Sequence, residues 1–379
     1  MSIESINPSG GDDSPTIQAA IDRLATTTAY TQNVLVFEPG RYRLNSVLST
    51  PIGKVPPALT CCGLAHFTYR GPLTDSYLLN YRGICYPQMR CLVGLHFDTY
   101  WKARGLLIEN MRYGAVFDRL SILSSRQVGI DAIGCWGSSW TNIGISNARG
   151  IAFRGKGFNS VMADSWKIGQ YSVDHVTISK RNELRQYIIN NGVDAARTYY
   201  GTDLIEEWPD PSDTSVKDWN NNNVQTPISR RGAVVIDTTS GAGLKNWCME
   251  GIYCYDNFLI SLYDVNYGHI DGLRFEGVVG FDSLIRSEFG QANIFESIIT
   301  SPTYNKVPYV VTLYGHCREN VLRSIYGNGV SAAIMRLTGE SFHKQWGNAV
   351  EHAYVRDSWS NDPTVQVNWL QDDIGQLEV

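Results

Sequence analysis

The chain has 379 residues, of which 43% are hydrophobic and only 18% are charged, so it can bury a sizeable core and is not expected to be disordered. Its formal net charge of −5 gives no electrostatic reason to bind nucleic acid or an anionic membrane. The 35 glycines and 21 tyrosines favour short stacked strands joined by tight turns over long amphipathic helices.

The sequence carries no recognisable export or membrane signal. Residues 1–11 are polar, with neither a basic start nor an apolar stretch, so we expect no signal peptide. An apolar run of about 18 residues, long enough to span a bilayer, is absent, so we expect no membrane insertion. The eight cysteines fit no CxxC or zinc-binding spacing, and we expect them to be reduced and buried.

The first predicted element is a helix over residues 12–28. Asp12 or Asp13 can cap its N-terminus, and Pro15 lies in its first turn. Its apolar face is formed by Ile17, Ala20, Ile21 and Leu24. Two strands are predicted next, at 34–37 and 42–44, on either side of a Glu-Pro-Gly turn.

These opening elements carry a resemblance to a known family. The sequences GDDSPTIQAAIDRL and VLVFEPGRYRL resemble the start of pectate-lyase-like β-helix proteins, which include many bacteriophage tailspikes. The family's usual GDG loop is replaced here by Gly10-Gly11-Asp12-Asp13. The resemblance implies a right-handed parallel β-helix whose N-terminal end is covered by the helix, a carbohydrate ligand and a homotrimer. It also implies a location in a virion tail, or outside the cell without a signal peptide.

The rest of the chain contains an irregular repeat. LKNWCMEGI at 244–252 and IDGLRFEGV at 270–278 are offset by 26 residues, and FESI, LRSI and VEHA follow after a further 20, 27 and 28. A variable period near 25 is typical of β-helix rungs with loops of different length. The sequence therefore predicts an all-β fold, a single-stranded parallel β-helix over 31–355. A capping helix lies within residues 1–30, and 356–379 form a C-terminal cap.

Residues at equivalent positions in successive rungs should form ladders on the surface, about 4.8 Å apart. The repeat alignment predicts one outward ladder, composed of Asp118, Thr141, Asp174, Glu250, Glu276, Glu296, Arg323 and Glu351.

One segment, residues 180–231, interrupts the repeat. It is polar and aromatic, and a stretch this long without apolar periodicity is usually functional or disordered. We interpret it as an excursion that forms a wall or lid over one face, in which Trp208 and Trp219 could bind sugar rings. A disordered segment or a loop that packs between subunits is the alternative.

Glu250 and Glu276 are the strongest catalytic candidates. Stacked about 5 Å apart, two carboxylates raise one another's proton affinity, which divides them into an acid and a base or nucleophile. Asp271 is an additional carboxylate near them. Glu296, predicted two rungs from Glu250, would be about 9–10 Å away, nearer the spacing of inverting glycosidases, and is a candidate to bind the substrate. The alternative is a ladder of ordinary solvated carboxylates.

Other residues on these rungs could bind the substrate. Tyr253, His269, Arg274 and Lys245 could supply the base and the cation that β-elimination requires. The alternative is that the Asp264–Asp271 stretch only forms turns. We find no calcium-binding loop and expect no metal and no cofactor.

Three functions remain open from the sequence. The first is a polysaccharide depolymerase that hydrolyses a bacterial capsular polysaccharide or exopolysaccharide, as the resemblance and the carboxylate ladder suggest. The second is a lyase that cleaves a uronate-containing glycan by β-elimination. The third is a spike that binds a surface glycan without cleaving it.

Overall fold

The computed structural model is a parallel β-helix, in which short strands stack rung upon rung around one apolar core. The strands fall into two sheets of 17 and 11 strands, and every pairing between the described strands is parallel. This confirms the fold class predicted from the sequence. The structure describes residues 1–28, 31–84, 89–112, 114–126, 128–146, 148, 151–158, 160–169, 190–191, 195, 234–237, 242–245, 248–250, 258–276, 283–301, 307–328, 330–338, 347–356 and 369–371.

The larger sheet, called the first sheet, carries the surface of interest. Its strands are Ile3–Ile6, Val34–Phe37, Gly40–Leu44, Ala58–Tyr69, Arg90–Asp98, Val116–Leu123, Ser139–Ser146, Val161–Asp164, Lys167–Gly169, Ala242–Lys245, Cys248–Glu250, His269–Asp271, Arg274–Glu276, Ile294–Glu296, Ile299–Ser301, Val321–Asn328 and Ala349–Arg356.

The smaller sheet, called the second sheet, closes the opposite side of the core. Its strands are Leu48–Ser49, Tyr77–Arg82, Arg104–Glu109, Ile130–Ile133, Phe153–Lys156, Val234–Asp237, Phe258–Tyr263, Ser283–Glu288, Val307–Tyr314, Val330–Thr338 and Trp369–Gln371.

Apolar side chains stack in columns between the sheets. In one column Phe117 and Trp140 are Cα partners, their rings stack with centroids 4.0 Å apart, and neither is accessible to solvent. Phe295 occupies the same column further along, between Ile270 and Leu322. Each fully buried aromatic side chain contributes about 1.5–3 kcal/mol relative to an exposed one.

A bend in each rung of the first sheet explains the apolar–polar–x–apolar motif of the sequence. In an unbroken strand, residues three apart point to opposite faces. A residue with positive φ after the polar position resets the alternation, so that Phe117 and Leu120 both point inward. The bend residues with positive φ are Arg119, Asn142, Ser165, Gly272, Ser297 and Ser324.

The N-terminal helix covers one end of the core. It spans Ser14–Leu24, shorter than the predicted 12–28, because Ala25 already has an extended backbone. The predicted apolar face is confirmed, since its residues are all buried. Of the two predicted capping residues, Asp13 makes no side-chain hydrogen bond to the helix, and its Oδ2 accepts the Arg43 amide at 2.9 Å. Asp12 Oδ1 instead accepts the Ser14 amide, at 3.0 Å.

Parallel pairing extends beyond both ends of the predicted solenoid. Ile3–Ile6 pairs with Val34–Phe37, and no feature of the sequence indicated this strand. Trp369–Gln371 pairs with Val330–Thr338, within the segment predicted to form a cap. Among the described helices, none is long and apolar enough to cross a membrane.

Candidate functional site

The strand register sorts the residues of the first sheet into columns of Cα partners, three of which bear on function. The first column, before the bend, comprises Thr60, Val93, Asp118, Thr141, Asp164, Lys245, Asp271, Glu296, Arg323 and Glu351. The second column, after the bend, comprises Arg41, His66, His96, Ser121, Gly144, Lys167, Cys248, Arg274, Ile299, Tyr326 and Tyr354. The third column comprises Leu123, Ser146, Gly169, Glu250, Glu276 and Ser301.

The predicted stacking of Glu250 on Glu276 is confirmed at the level of the backbone. The two residues are Cα partners at the ends of Cys248–Glu250 and Arg274–Glu276. Adjacent parallel strands place such partners about 4.8 Å apart. The side chains of both glutamates lie outside what the structure describes, so their catalytic roles stay predictions.

The predicted ladder joins two different columns. Its members Asp118, Thr141, Glu296, Arg323 and Glu351 do share the first column, whereas Glu250 and Glu276 lie in the third. The Cα partner of Glu296 is Asp271, whereas that of Glu276 is Ser301, so Glu296 belongs to the first column and not to the column of Glu250. The bend is the reason. It divides each rung into two halves with similar apolar–polar sequences, and FESI at 295–298 begins in the half before the bend, whereas FEGV at 275–278 begins in the half after it. The sequence alignment matched these two different halves with each other. Asp174, also placed in that ladder, lies outside the described residues.

Glu296 is held as a carboxylate by two neighbours. Arg323 Nη2 donates to Glu296 Oε2 at 2.8 Å, and His269 Nε2 lies 3.3 Å from the same oxygen. The hydrogen bond from Arg323, with a smaller contribution from His269, lowers the pKa of Glu296 below its ordinary value. Glu296 is therefore suited to accept hydrogen bonds or to stabilise positive charge, and not to donate a proton near neutral pH.

Arg323 is surrounded by carboxylates. The hydrogen bond to Glu296 raises its pKa, and the charges of Glu296, Glu351 and Asp271 raise it further. Glu296 is the carboxylate that contacts Arg323, at 2.8 Å, and the other two act on it only through their charge. Arg323 was part of the predicted ladder but was not predicted to bind a ligand. Its role depends on neighbours 27 and 28 residues away, which only the register identifies.

The remaining candidates divide into those brought together and those outside the described residues. His269 and Asp271 share one short strand, and the exposed Arg274 follows after the bend on the same rung. The structure thus places these three beside Glu296 and Glu276. Trp208, Trp219 and Tyr253, predicted to bind sugar, lie outside the described residues, as does nearly all of the predicted excursion at 180–231.

The sequence reasoning missed two exposed apolar residues on this surface. Ile299 and Tyr326 are Cα partners in the second column, directly after Arg274, and their exposed fractions are 47% and 46%. A signal was available, because both residues follow the bend position by two, where the preceding rungs carry small or polar residues such as Ser121, Gly144 and Lys167.

The stacked parallel strands define the class of protein as a parallel β-helix. No protein-family model and no curated protein sequence matches the chain. The solved structures similar to it include the ORF18 protein of Geobacillus virus E2, with 9% identity and a TM-score of 0.42, which covers 93% of this chain and 61% of that one. The chain therefore spans less than two thirds of that viral protein.

Two further similar structures are carbohydrate-active proteins. The A-module of a mannuronan C-5 epimerase from Azotobacter vinelandii has 11% identity and a TM-score of 0.43 over 96% of this chain and 95% of that one. An endo-xylogalacturonan hydrolase from Aspergillus tubingensis has 12% identity and a TM-score of 0.40 over 98% and 100%. Similarity at this level carries no conclusion about activity, so the candidate site rests on its own geometry.

Proposed function

We propose that this protein is a polysaccharide depolymerase that hydrolyses a bacterial capsular polysaccharide or exopolysaccharide. The observation that supports it is the grouping of carboxylates on adjacent rungs of one sheet face. Glu250 and Glu276 are Cα partners in the third column, and Asp271 and Glu296 are Cα partners in the first. Glycoside hydrolysis requires two carboxyl groups in different protonation states on either side of the bond to be broken.

In this proposal the Glu250–Glu276 pair performs the chemistry. Two carboxyl groups about one rung apart titrate as a coupled pair, so one retains a proton while the other is ionised. The protonated member donates its proton to the glycosidic oxygen, and the ionised member attacks the anomeric carbon. Water then releases the sugar from this covalent intermediate. The Cα atoms of the two glutamates are about 4.8 Å apart as partners on adjacent strands, and this spacing is compatible with the ~5–5.5 Å between carboxyl groups that is typical of retaining enzymes. Asp271 is the alternative carboxylate.

Glu296 has a different role in the proposal. Because Arg323 and His269 lower its pKa, it stays ionised and stabilises the positive charge that develops on the sugar ring. His269 and Arg274 lie on the Asp271 rung and contact the substrate. Trp208, Trp219 and Tyr253 complete the proposed sugar-binding residues.

The assembly and location are part of the same proposal. We expect a homotrimer that acts in a virion tail or outside the cell, as the resemblance of residues 11–44 to the tailspike family implies. Static light scattering checks the assembly: a mass near three chains of 42.3 kDa is expected, and a mass near one chain contradicts it.

The test of the activity is depolymerisation. The protein is incubated with a panel of purified bacterial capsular polysaccharides and exopolysaccharides, and chain length is followed by size-exclusion chromatography. Shortening of at least one glycan is expected. Tight binding without shortening would instead identify a non-catalytic glycan-binding spike.

A lyase is the second candidate, because His269 and Arg274 place a base and a cation on one rung with Asp271. The products separate the two reactions. β-Elimination leaves an unsaturated uronate that absorbs in the near ultraviolet, whereas hydrolysis leaves a new reducing end without that absorbance. Appearance of the absorbance in step with chain shortening would replace the hydrolase proposal with the lyase.

A further inference from the structure

The chemical class of the glycan can be inferred from the surface around Glu296. Ile299 and Tyr326 form a continuous exposed apolar strip over two adjacent rungs. Single exposed apolar residues are common on protein surfaces, whereas adjoining ones rimmed by polar residues are the start of the kind of patch that marks a binding site. A tyrosine ring offers a flat apolar surface and a polar edge, which suits a sugar ring with one C–H face and a rim of hydroxyl groups.

Carboxylates border this strip on one side. Asp271 and Glu296 belong to the neighbouring first column, and on the other side the backbone of Glu276 lies in the third column. An ionised carboxylate only accepts hydrogen bonds and has two oxygens to do so. Hydroxyl groups of a sugar ring are donors that match this pattern, so the strip and its borders together provide both kinds of contact that a pyranose ring needs.

The charge of the surface disfavours an acidic ligand. Over the three rungs that begin at His269, Ile294 and Val321, the three columns contain three carboxylates, Asp271, Glu276 and Glu296, and two guanidinium groups, Arg274 and Arg323. The rungs on either side leave this balance unchanged, because one adds Lys245 and Glu250 and the other adds Glu351 and Arg356. The Arg323 guanidinium is already hydrogen-bonded to Glu296, at 2.8 Å. A uronate or sulfate placed here would add repulsion between like charges.

We propose that this site binds an uncharged glycan, with one sugar ring on the Ile299–Tyr326 strip and its hydroxyl groups donating to Asp271 and Glu296. This inference rests on the proposed function and makes it more specific, because it favours hydrolysis over β-elimination, which needs a uronate. The chain as a whole, with a formal net charge of −5, adds no long-range attraction for a polyanion.

The test uses matched pairs of polysaccharides on an array. Each acidic bacterial polysaccharide is printed beside its carboxyl-reduced derivative, in which carbodiimide activation and borohydride reduction convert uronates into uncharged hexoses of the same linkage. Naturally neutral polysaccharides are included. The full chain is expected to bind neutral or reduced glycans, with an affinity that changes little as salt is added.

The outcomes are distinguishable. Binding of acidic forms in preference to their reduced partners, weakened by salt, overturns the inference but leaves a glycan-active protein. Binding to no glycan on the array contradicts the proposed function itself. A preference for uncharged forms supports both.

A variant then locates the binding to the strip. Tyr326→Ala is expected to weaken binding of the neutral glycan by about tenfold, whereas Tyr326→Phe, which retains the ring, should bind nearly as the wild type. Tyr100→Ala is the matched control, because Tyr100 is 37% exposed on an N-terminal rung next to Arg70. Wild-type affinity in Tyr326→Ala, with the fold verified by circular dichroism, overturns the assignment of this strip.

Discussion

The first column differs sharply between the two halves of the β-helix. In the N-terminal half, Asp118 accepts hydrogen bonds from Thr141 at 2.8 Å and Asn142 at 2.9 Å, and Arg119 lies 3.2 Å away. Partial burial raises the pKa of Asp118, but these hydrogen bonds outweigh burial and leave the pKa below its ordinary value. In the C-terminal half, the carboxylates Asp271 and Glu296 are Cα partners. The two groups that contact Glu296, Arg323 and His269, are both charged or titratable, whereas two of the three donors to Asp118 are neutral.

The second column shows the same contrast. Its N-terminal rungs carry His66 and His96, whose rings meet edge to face with centroids 4.3 Å apart. Its C-terminal rungs carry the exposed Ile299 and Tyr326. The backbone frame is shared, including the bend with positive φ at Asn142 and at Ser297. The lesson is that stacking fixes where outward side chains lie, while their chemistry varies without cost to the core.

The largest expected effect is a loss of activity when a carboxylate of the C-terminal half is replaced, with no loss when one of the N-terminal half is replaced. Glu276→Gln and Glu250→Gln should each lower depolymerisation by about 100-fold or more, because a catalytic carboxyl group contributes on this order. Asp118→Asn is the matched control and should keep wild-type activity. The rates are measured by the increase in reducing ends. Near wild-type rates in both glutamine variants would show that the pair is a surface ladder, and Asp271 would become the leading candidate.

The cores of the two halves should respond alike. Phe117 and Phe295 occupy the same inward column and are both fully buried. Truncation of either to alanine should lower the free energy of unfolding by about 3–5 kcal/mol, through lost burial and the cavity left behind. Urea denaturation followed by tryptophan fluorescence measures this. A much smaller loss in one variant would indicate that the two halves unfold as separate units.

The histidine pair should make stability depend on pH. Burial and the neighbouring His66 lower the pKa of His96 to about 4, and burial and Arg41 lower that of His66. In the unfolded chain both titrate near pH 6.5, so between about pH 6.5 and about pH 4 the unfolded state binds more protons. Stability should therefore fall as the pH is lowered through this window.

The matched variants for that effect are His96→Gln and His269→Gln. Glutamine at position 96 cannot titrate, so the dependence of the urea midpoint on pH should become shallower. Glutamine at position 269, in the C-terminal half, should leave unchanged the part of the pH dependence of stability that comes from His66 and His96. An unchanged pH dependence in His96→Gln contradicts the assignment.

The smallest expected effect concerns the exposed ion pair. Arg323→Gln removes the donor that holds down the pKa of Glu296, so that pKa should rise towards its ordinary value. Because the folded pKa is depressed, any stability the pair contributes is present at neutral pH and is lost as the pH falls through the carboxylate range. Carbon-detected NMR titration of the glutamate side chains measures the shift. An unchanged Glu296 pKa would contradict the described pairing.

Much of the fold could be predicted from the sequence because the core requirement is local. A β-helix needs apolar side chains at fixed offsets in every rung. The period near 25 and the motif around Phe117 and Phe295 can therefore be recognised from the amino-acid sequence alone. The helix face of Ile17 and Ile21 follows from the helical period in the same way. The strand Ile3–Ile6 could not be found, because it is stabilised only by its pairing with Val34–Phe37.

The sequence by itself determined the class of fold, the apolar columns and the pairing of Glu250 with Glu276. Only the tertiary structure decided which column each polar residue joins. It placed Glu296 in one column between Asp271 and Arg323. The sequence could not show this, because the bend divides every rung into two similar halves that a sequence alignment cannot distinguish. Outward positions carry no packing constraint, so their neighbours are set by register across about 25 residues of chain, and register is a property of the stacked strands.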